Sequence, residues 1–200
     1  MLRPGVTLYF VRHGETDWNR AQRYQGQRDI PLNAIGRAQA TGNGRILAAA
    51  LGAQAAAIDY VASPLLRARE TMQLMRAELD LPPQGYRTDD RLREIHYGHW
   101  EGELWNELPA TDPQGFAARE ADKWGWRPTG GESYRELSER VAGWLDDVAH
   151  DAVVAAHGGV MRVLRGLNLG LAPEEIFRLD VPQDKVLVIE AGRTRWLQPR

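Results

Sequence analysis

Three short apolar segments of the chain predict buried β-strands. They lie at Val6–Val11, Ile58–Ala62 and Ala152–Ala156, and their β-branched, aromatic and small apolar residues are typical of strands covered on both faces. Helix-patterned runs follow the second and third segments, at Leu65–Leu79 and Val160–Leu169. Strands that alternate with helices in this way predict an α/β fold with a mostly parallel central sheet.

Weaker patterns complete the α/β chain. Asn33 is placed to cap a helix that ends near Leu51, and Ser133 is placed to cap another that ends near His150. Further predicted elements are a strand around Tyr86–Thr88, a short helix from Pro173, and a closing hairpin of Lys185–Glu190 and Arg193–Leu197. A length of 200 residues predicts one domain with a full core.

Polar groups suited to chemistry stand where the three strands end. Arg12 and His13 follow the first strand, Arg67 comes just after the second, and His157 ends the third. Ligands of open α/β sheets bind at the carboxyl edge, so neighbouring strands would bring these four side chains to one crevice. Guanidinium groups beside imidazoles suggest an anion site with a nucleophile. The helix that follows Gly158 would point its N-terminus there, which favours phosphate.

A carboxylic acid is the remaining group that the chemistry needs. The segment Arg91–Gly102 carries two, Glu94 and Glu101. Either one beside a cluster of cations would serve as a general acid if it were protonated when the leaving group departs. The spacing alone does not choose between them.

Six blocks of the sequence resemble the histidine phosphatase superfamily, the phosphoglycerate-mutase-like proteins. The blocks are Val11–Asn19, Arg23–Ala40, Ser63–Thr71, Leu92–Gly102, Gly130–Ser133 and Ala156–Gly159. Their order and spacing match the family across nearly the whole chain. The resemblance implies a three-layer α/β/α sandwich of the phosphoglycerate mutase type. It also implies a single domain over residues 1–200, with a small helical cap at about residues 100–130.

The same resemblance implies roles for individual residues. His13 would accept the phosphoryl group, Arg12, Arg67 and His157 would hold it, and Glu94 would be the proton donor. Further residues expected to bind phosphate or substrate are Asn19, Gln25, Gly26 and Gly158. The arginine charges disfavour protonation of His13, which must attack as neutral imidazole. The scheme calls for no metal and no cofactor.

Departures from the mutase pattern favour hydrolysis. Gln25 stands where mutases carry a small hydroxyl residue, and Ile95 stands where they carry arginine. The stretch from Glu94 to His157 is also short compared with mutases, whose insertion there excludes water. The alternatives are a cofactor-dependent phosphoglycerate mutase and a catalytically silent scaffold that binds a phosphorylated ligand. Candidate activities include broad-specificity phosphomonoesterases, α-ribazole phosphatases and sugar bisphosphatases, among which the sequence does not choose.

The amino-acid composition of the chain limits the classes of partner that are expected. A formal net charge of −2 leaves no basic stripe for nucleic acid. No apolar stretch reaches the length of a signal peptide or membrane span, so a cytoplasmic location is expected. The expected partner is a small phosphorylated substrate, and a homodimer is left open. The absence of cysteine excludes disulfides and thiolate zinc sites.

Other histidines, arginines and tryptophans have a structural interpretation beside a functional one. His96 and His99 lack the carboxylate pattern of a metal site, and His150 suits the end of a helix. Arginines expected outside the phosphate site are Arg69, Arg91 and Arg93. Tryptophans that form either the core of the cap or a wall for the leaving group are Trp100, Trp105, Trp124 and Trp126.

Overall fold

The computed structural model describes residues 1–197, in which a six-stranded sheet carries helices on both faces. The strands are β1 (Leu8–Arg12), β2 (Asp59–Ala62), β3 (Arg87–Thr88), β4 (Ala152–Ala156), β5 (Val186–Glu190) and β6 (Arg193–Leu197). Their spatial order is β3-β2-β4-β1-β5-β6. The first four strands in this order run parallel, and β5 and β6 are antiparallel to their neighbours. The sheet is therefore mostly parallel, as predicted.

Helices separate the strands. They are α1 (Asp17–Arg20), α2 (Ala34–Leu51), α3 (Leu66–Ala77), α4 (Leu108–Thr111), α5 (Pro113–Ala121), α6 (Tyr134–Asp147), α7 (Gly158–Leu169) and α8 (Pro173–Ile176). Short 3₁₀ turns span residues 52–56, 90–92 and 98–100. The predicted caps are confirmed, since Asn33 accepts from the Gly36 amide and Ser133 forms a capping box with Glu136. No helix within residues 1–197 is both long and apolar enough to cross a membrane.

Successive side chains of each strand point to opposite faces of the sheet, so the strands contribute to one hydrophobic core on each side. In β1, Leu8 and Phe10 face a cluster that includes residues of α6 and α7, whereas Val11 faces the cluster of α2 and α3. In β4, Val154 points to the first cluster and Val153 to the second. The result is a three-layer α/β/α arrangement in which β1 and β4 are covered on both faces.

Some predicted boundaries were wrong. Strand β1 begins at Leu8 rather than Val6, because the Val6 amide is used in a turn to the Arg3 carbonyl. Helix α6 ends at Asp147, because Val148 turns to an extended conformation and is buried in the core. His150 is therefore exposed in the loop beyond the helix, not at its last turn.

Candidate active site

The parallel pairing of β1 with β4 brings the two buried histidines together. Arg12 lies opposite Ala156 in the register, so His13 and His157 both follow at the carboxyl edge of the sheet. Their ring centroids are 5.2 Å apart. Arg67 comes from the first turn of α3, which follows the adjacent strand β2. The predicted convergence of strand ends on one crevice is thus observed.

His13 is held as a neutral imidazole with a defined tautomer. Its Nδ1 lies 2.8 Å from the carbonyl oxygen of Gly14, which can only accept, so Nδ1 carries the proton. Its Nε2 lies 3.2 Å from Nε of Arg67, a group that can only donate. Burial, together with the charges of Arg67 and Arg12, holds the pKa of His13 well below its usual value. Nε2 of His13 is consequently unprotonated at neutral pH, and its lone pair accepts from the Arg67 N–H.

Arg67 is fixed by the loop that carries Gly26. Its two terminal nitrogens donate to the carbonyl oxygens of Arg28 and Gly26, each at 2.7 Å. Burial lowers the pKa of Arg67 to about 10, which still leaves it charged. Gly26 has a φ of +51°, and a side chain there would overlap the Glu101 carboxylate. Gly26 therefore contributes a carbonyl that orients Arg67, as well as part of the cavity lining.

Two buried nitrogens at the site have no hydrogen-bond partner within residues 1–197. The terminal nitrogen of Arg12 donates to the Val181 carbonyl at 2.7 Å, but its Nε finds no partner. Nε2 of His157 lies 2.7 Å from Oγ of Ser63, and Nδ1 of His157 finds no partner. A buried polar group without a partner costs about 1–3 kcal/mol. Oxygens of a bound phosphoryl group would accept from Arg12 Nε, and also from His157 Nδ1 when that nitrogen carries the imidazole proton.

Gly158 lies against Arg12 at the start of α7. A Cβ built on Gly158 would stand 3.3 Å from Nε of Arg12, so a larger residue would crowd the guanidinium. Both residues line the cavity that contains His13. The N-terminus of the twelve-residue α7 also faces this cavity, where its positive end favours an anion.

The structure separates the two candidate carboxylates. Both oxygens of Glu94 lie 3.1 Å from the amide of Gly159, and Glu94 lines the cavity with His13. The Glu101 side chain is almost fully buried and accepts from the amide of Gln27 at 2.8 Å. Glu101 thus holds the loop that orients Arg67, whereas Glu94 faces the place where a substrate would sit.

Asn19 and Gln25 also line the cavity and are fixed by a polar network. Oδ1 of Asn19 accepts from the side chain of Gln183 at 3.1 Å and from the amide of Thr16 at 3.2 Å. The hydroxyl of Thr16 donates to Oε1 of Gln25 at 2.9 Å. All nine predicted site residues therefore border one cavity or, in the case of His157, lie buried directly beside His13.

Several lining residues were missed. Tyr24 and Tyr97 lie within blocks that carried the family resemblance, and Arg162 lies one helical turn after Gly158, so local signals were present. Val181 comes from the loop before β5 and has no motif that would reveal it. Burial and nearby acidic groups raise the pKa of Tyr97 well above its usual value, so its phenol stays protonated.

The tryptophans divide between the two interpretations. Trp100 is buried and packs on Trp126 with ring centroids 4.3 Å apart, so these two rings form a local aromatic core. Trp124 meets the edge of Phe177. Trp105 is 54% exposed and lines a second cavity that adjoins the first. A wall for the leaving group is therefore available only from Trp105 among these four.

The remaining polar candidates do not line the cavity that contains His13. His96 is 3.8 Å from Glu101, and His99 is 3.2 Å from Asp112, so the two histidines face different carboxylates. Within residues 1–197, no three His, Asp or Glu side chains are grouped as a metal site. Arginines that do not border the cavity are Arg69, Arg91 and Arg93.

Comparison with known proteins assigns the family. Residues 8–198 match the histidine phosphatase superfamily (branch 1), and the chain belongs to it. A metal-independent phosphoserine phosphatase of Arabidopsis thaliana is 34% identical over 78% of this chain, which is 66% of that protein's length.

Solved structures agree on the fold and differ in activity. A phosphoglycerate mutase from Thermus thermophilus is 34% identical with a TM-score of 0.74, and the match covers 98% of this chain and all of that one. A putative α-ribazole-5′-P phosphatase from Escherichia coli is 26% identical with a TM-score of 0.80, over 96% of this chain and 94% of that one. Relatives of this fold therefore include both phosphatases and mutases.

Proposed function

We propose that the protein is a metal-independent phosphomonoester hydrolase that acts on a small phosphorylated metabolite through a phosphohistidine intermediate. The observation that carries this proposal is the environment of His13. A neutral imidazole whose Nε2 is unprotonated lies between two arginines, and two buried nitrogens, Arg12 Nε and His157 Nδ1, have no hydrogen-bond partner within residues 1–197. The oxygens of a tetrahedral phosphoryl group would be suitable acceptors for the donors of such a site.

The first step would transfer the phosphoryl group to His13. The Nε2 lone pair gives up its contact with the Arg67 N–H and attacks phosphorus, and the bond from phosphorus to the ester oxygen breaks. Arg12, Arg67 and His157 stabilise the equatorial oxygens, which is the largest contribution expected for phosphoryl transfer. Glu94, as a carboxylic acid, gives its proton to the departing oxygen. The alcohol leaves, and the Nδ1 proton of His13 keeps its bond to the Gly14 carbonyl.

The second step would hydrolyse the intermediate. Glu94, now a carboxylate, takes a proton from a water molecule, and that water attacks phosphorus as the bond to Nε2 breaks. Inorganic phosphate is released, His13 returns to neutral imidazole, and Glu94 is again an acid. Positive charge at the site comes from guanidinium groups, so this scheme uses no metal ion.

Hydrolysis is favoured over mutase activity by two side chains. Oε1 of Gln25 is occupied by the Thr16 hydroxyl, and the position next to Glu94 is Ile95, whose side chain is buried in the core. Ile95 therefore supplies no charge to hold a phosphoglycerate carboxylate. Among the relatives, the Arabidopsis and Escherichia coli proteins are both named as phosphatases.

A direct assay tests the proposal. Purified protein should release phosphate from p-nitrophenyl phosphate, should keep its activity in excess EDTA, and should be inhibited by vanadate, which mimics the five-coordinate phosphorus.

Arg67→Gln should lower kcat/KM by about 10² or more, since one preorganised donor contributes about that much. Arg45→Gln, which changes an exposed arginine on α2 paired with Glu78, is the matched control. Loss of activity in EDTA, or no hydrolysis of any phosphomonoester, would overturn the proposed function.

A further inference from the structure

A second cavity opens beside the one that contains His13. The inner cavity has a volume of about 200 Å³, and the outer one has about 300 Å³. Asn19, Arg23, Tyr24 and Arg162 border both, so the two cavities adjoin each other. Pockets for small molecules usually measure about 300–1,000 Å³, so the inner cavity lies below this range and the outer cavity at its lower end. A substrate larger than the inner cavity would extend its alcohol part into the outer cavity.

The wall of the outer cavity is fixed by backbone pairing between two loops. Arg23 forms an isolated β-bridge with Leu104, and the amide of Trp105 donates to the Gln22 carbonyl at 3.1 Å. Gln22 has a φ of +56°, a left-handed conformation that residues other than glycine seldom adopt. Strained backbone of this kind often occurs at functional sites. The exposed ring of Trp105 is thereby held at the rim of the cavity, although 54% of the residue is open to solvent.

Arg23, Arg119 and Arg162 give the outer cavity an excess of positive charge. Arg23 donates to the Gly102 carbonyl at 2.7 Å and Arg162 to the Leu179 carbonyl at 3.2 Å. Neither has a carboxylate within 4.0 Å among residues 1–197. Arg119 does pair with Glu120, but that carboxylate also holds Lys123 at 2.9 Å. Three cations converge on one cavity, and the protein supplies too little negative charge there to balance them.

We propose that the outer cavity binds a second anionic group, a carboxylate or phosphate, on the alcohol part of the substrate. Arg23, Arg119 and Arg162 hold that anion, and Trp105 with Tyr24 covers the apolar or ring portion between the two charged ends. The inference rests on the proposed function and narrows its substrate class to phosphomonoesters of anionic alcohols. Neutral alcohols would bind only through their phosphoryl end.

Matched aryl esters test this subsite. We would compare 4-carboxyphenyl phosphate with 4-carbamoylphenyl phosphate, and the corresponding 3-substituted pair, because the amide has nearly the shape of the carboxylate without its charge. In at least one pair, kcat/KM for the carboxylate ester should exceed that for the amide by about tenfold, as a hydrogen bond to a charged group implies. The advantage should shrink at high salt, since the subsite is open to solvent.

Variants separate this subsite from the catalytic site. Arg119→Gln changes a residue that borders the outer cavity alone and should bring the carboxylate-to-amide ratio close to one by raising KM for the carboxylate ester. Arg45→Gln should leave the ratio as it is in the unmodified protein. Hydrolysis of both esters with equal kcat/KM in both pairs would overturn the subsite while leaving the proposed function intact. Hydrolysis of neither ester would instead contradict the proposed function.

Discussion

Nε of Arg67 lies 3.2 Å from Nε2 of His13, with the guanidinium N–H directed at the imidazole. A proton on Nε2 would face this permanent donor, so the contact opposes protonation of His13. His157 is also fully buried beside His13, and burial together with the Arg67 charge likewise lowers its pKa. Both imidazoles therefore stay neutral under conditions in which an exposed histidine would be charged.

This neutrality predicts a pH dependence of stability. Below about pH 6.5 histidines in the unfolded chain bind protons, whereas His13 and His157 in the folded protein do not. The free energy of unfolding should therefore fall as the pH drops below about 6.5, with up to about 1.4 kcal/mol per pH unit from each of the two residues. Above about pH 6.5, the contribution of these two neutral histidines to the free energy of unfolding is fully present.

Denaturant titrations between about pH 5 and 7.5 measure this slope. His13→Asn should make the slope shallower, because one of the two buried imidazoles is gone. His150→Asn changes an exposed histidine and should leave the slope unaltered. Equal slopes in all three proteins would mean that His13 is protonated in the folded state, contrary to the environment described above.

The separation of Glu94 from Glu101 predicts different kinetic defects. A general acid matters most for a poor leaving group and contributes about 10²–10⁴-fold. Glu94→Gln should therefore slow hydrolysis of an alkyl phosphate much more than that of p-nitrophenyl phosphate. Glu101→Gln should weaken the loop that orients Arg67 and lower kcat/KM for both substrates by similar factors.

Steady-state kinetics on the two substrates decide between the carboxylates. If Glu101→Gln rather than Glu94→Gln showed the dependence on leaving group, the proton donor would be misassigned. Equal losses on both substrates for Glu94→Gln would indicate that Glu94 positions the substrate instead of protonating it.

Hydrolysis and mutase activity give different products from 3-phosphoglycerate. With a catalytic amount of 2,3-bisphosphoglycerate, any reaction should release inorganic phosphate rather than equilibrate the 2- and 3-isomers. The reason is that Gln25 and Ile95 lack the mutase pattern and that the cap between Glu94 and His157 is short. Phosphorus NMR distinguishes the outcomes, and isomerisation well above the rate of hydrolysis would show that the protein is a mutase.

Local signals in the sequence were enough to predict the elements that present the phosphate site. Apolar runs set β1, β2 and β4, and the side chains of Asn33 and Ser133 fixed the starts of α2 and α6. The sequence blocks that resemble the family contain His13 and the residues predicted around it. These features depend on neighbours in the sequence, which is why they could be predicted without a structure.

Features that depend on tertiary contacts were not predictable. Glu94 and Glu101 lie in one segment, and only the packing of α7 and of the loop after Gln25 shows which of them faces His13. Val181 and Gln183 reach the site from nearly the other end of the chain. The outer cavity likewise exists only because the loop at Gln22 pairs with the segment at Trp105.

The central claim is that the phosphoryl group passes through His13, and rapid quench with a ³²P-labelled substrate tests it most directly. A base-stable, acid-labile phosphoenzyme should accumulate before the steady state and should be absent from His13→Ala, which should also lose turnover. A fully active His13→Ala protein, or labelled phosphate on another residue, would contradict the account.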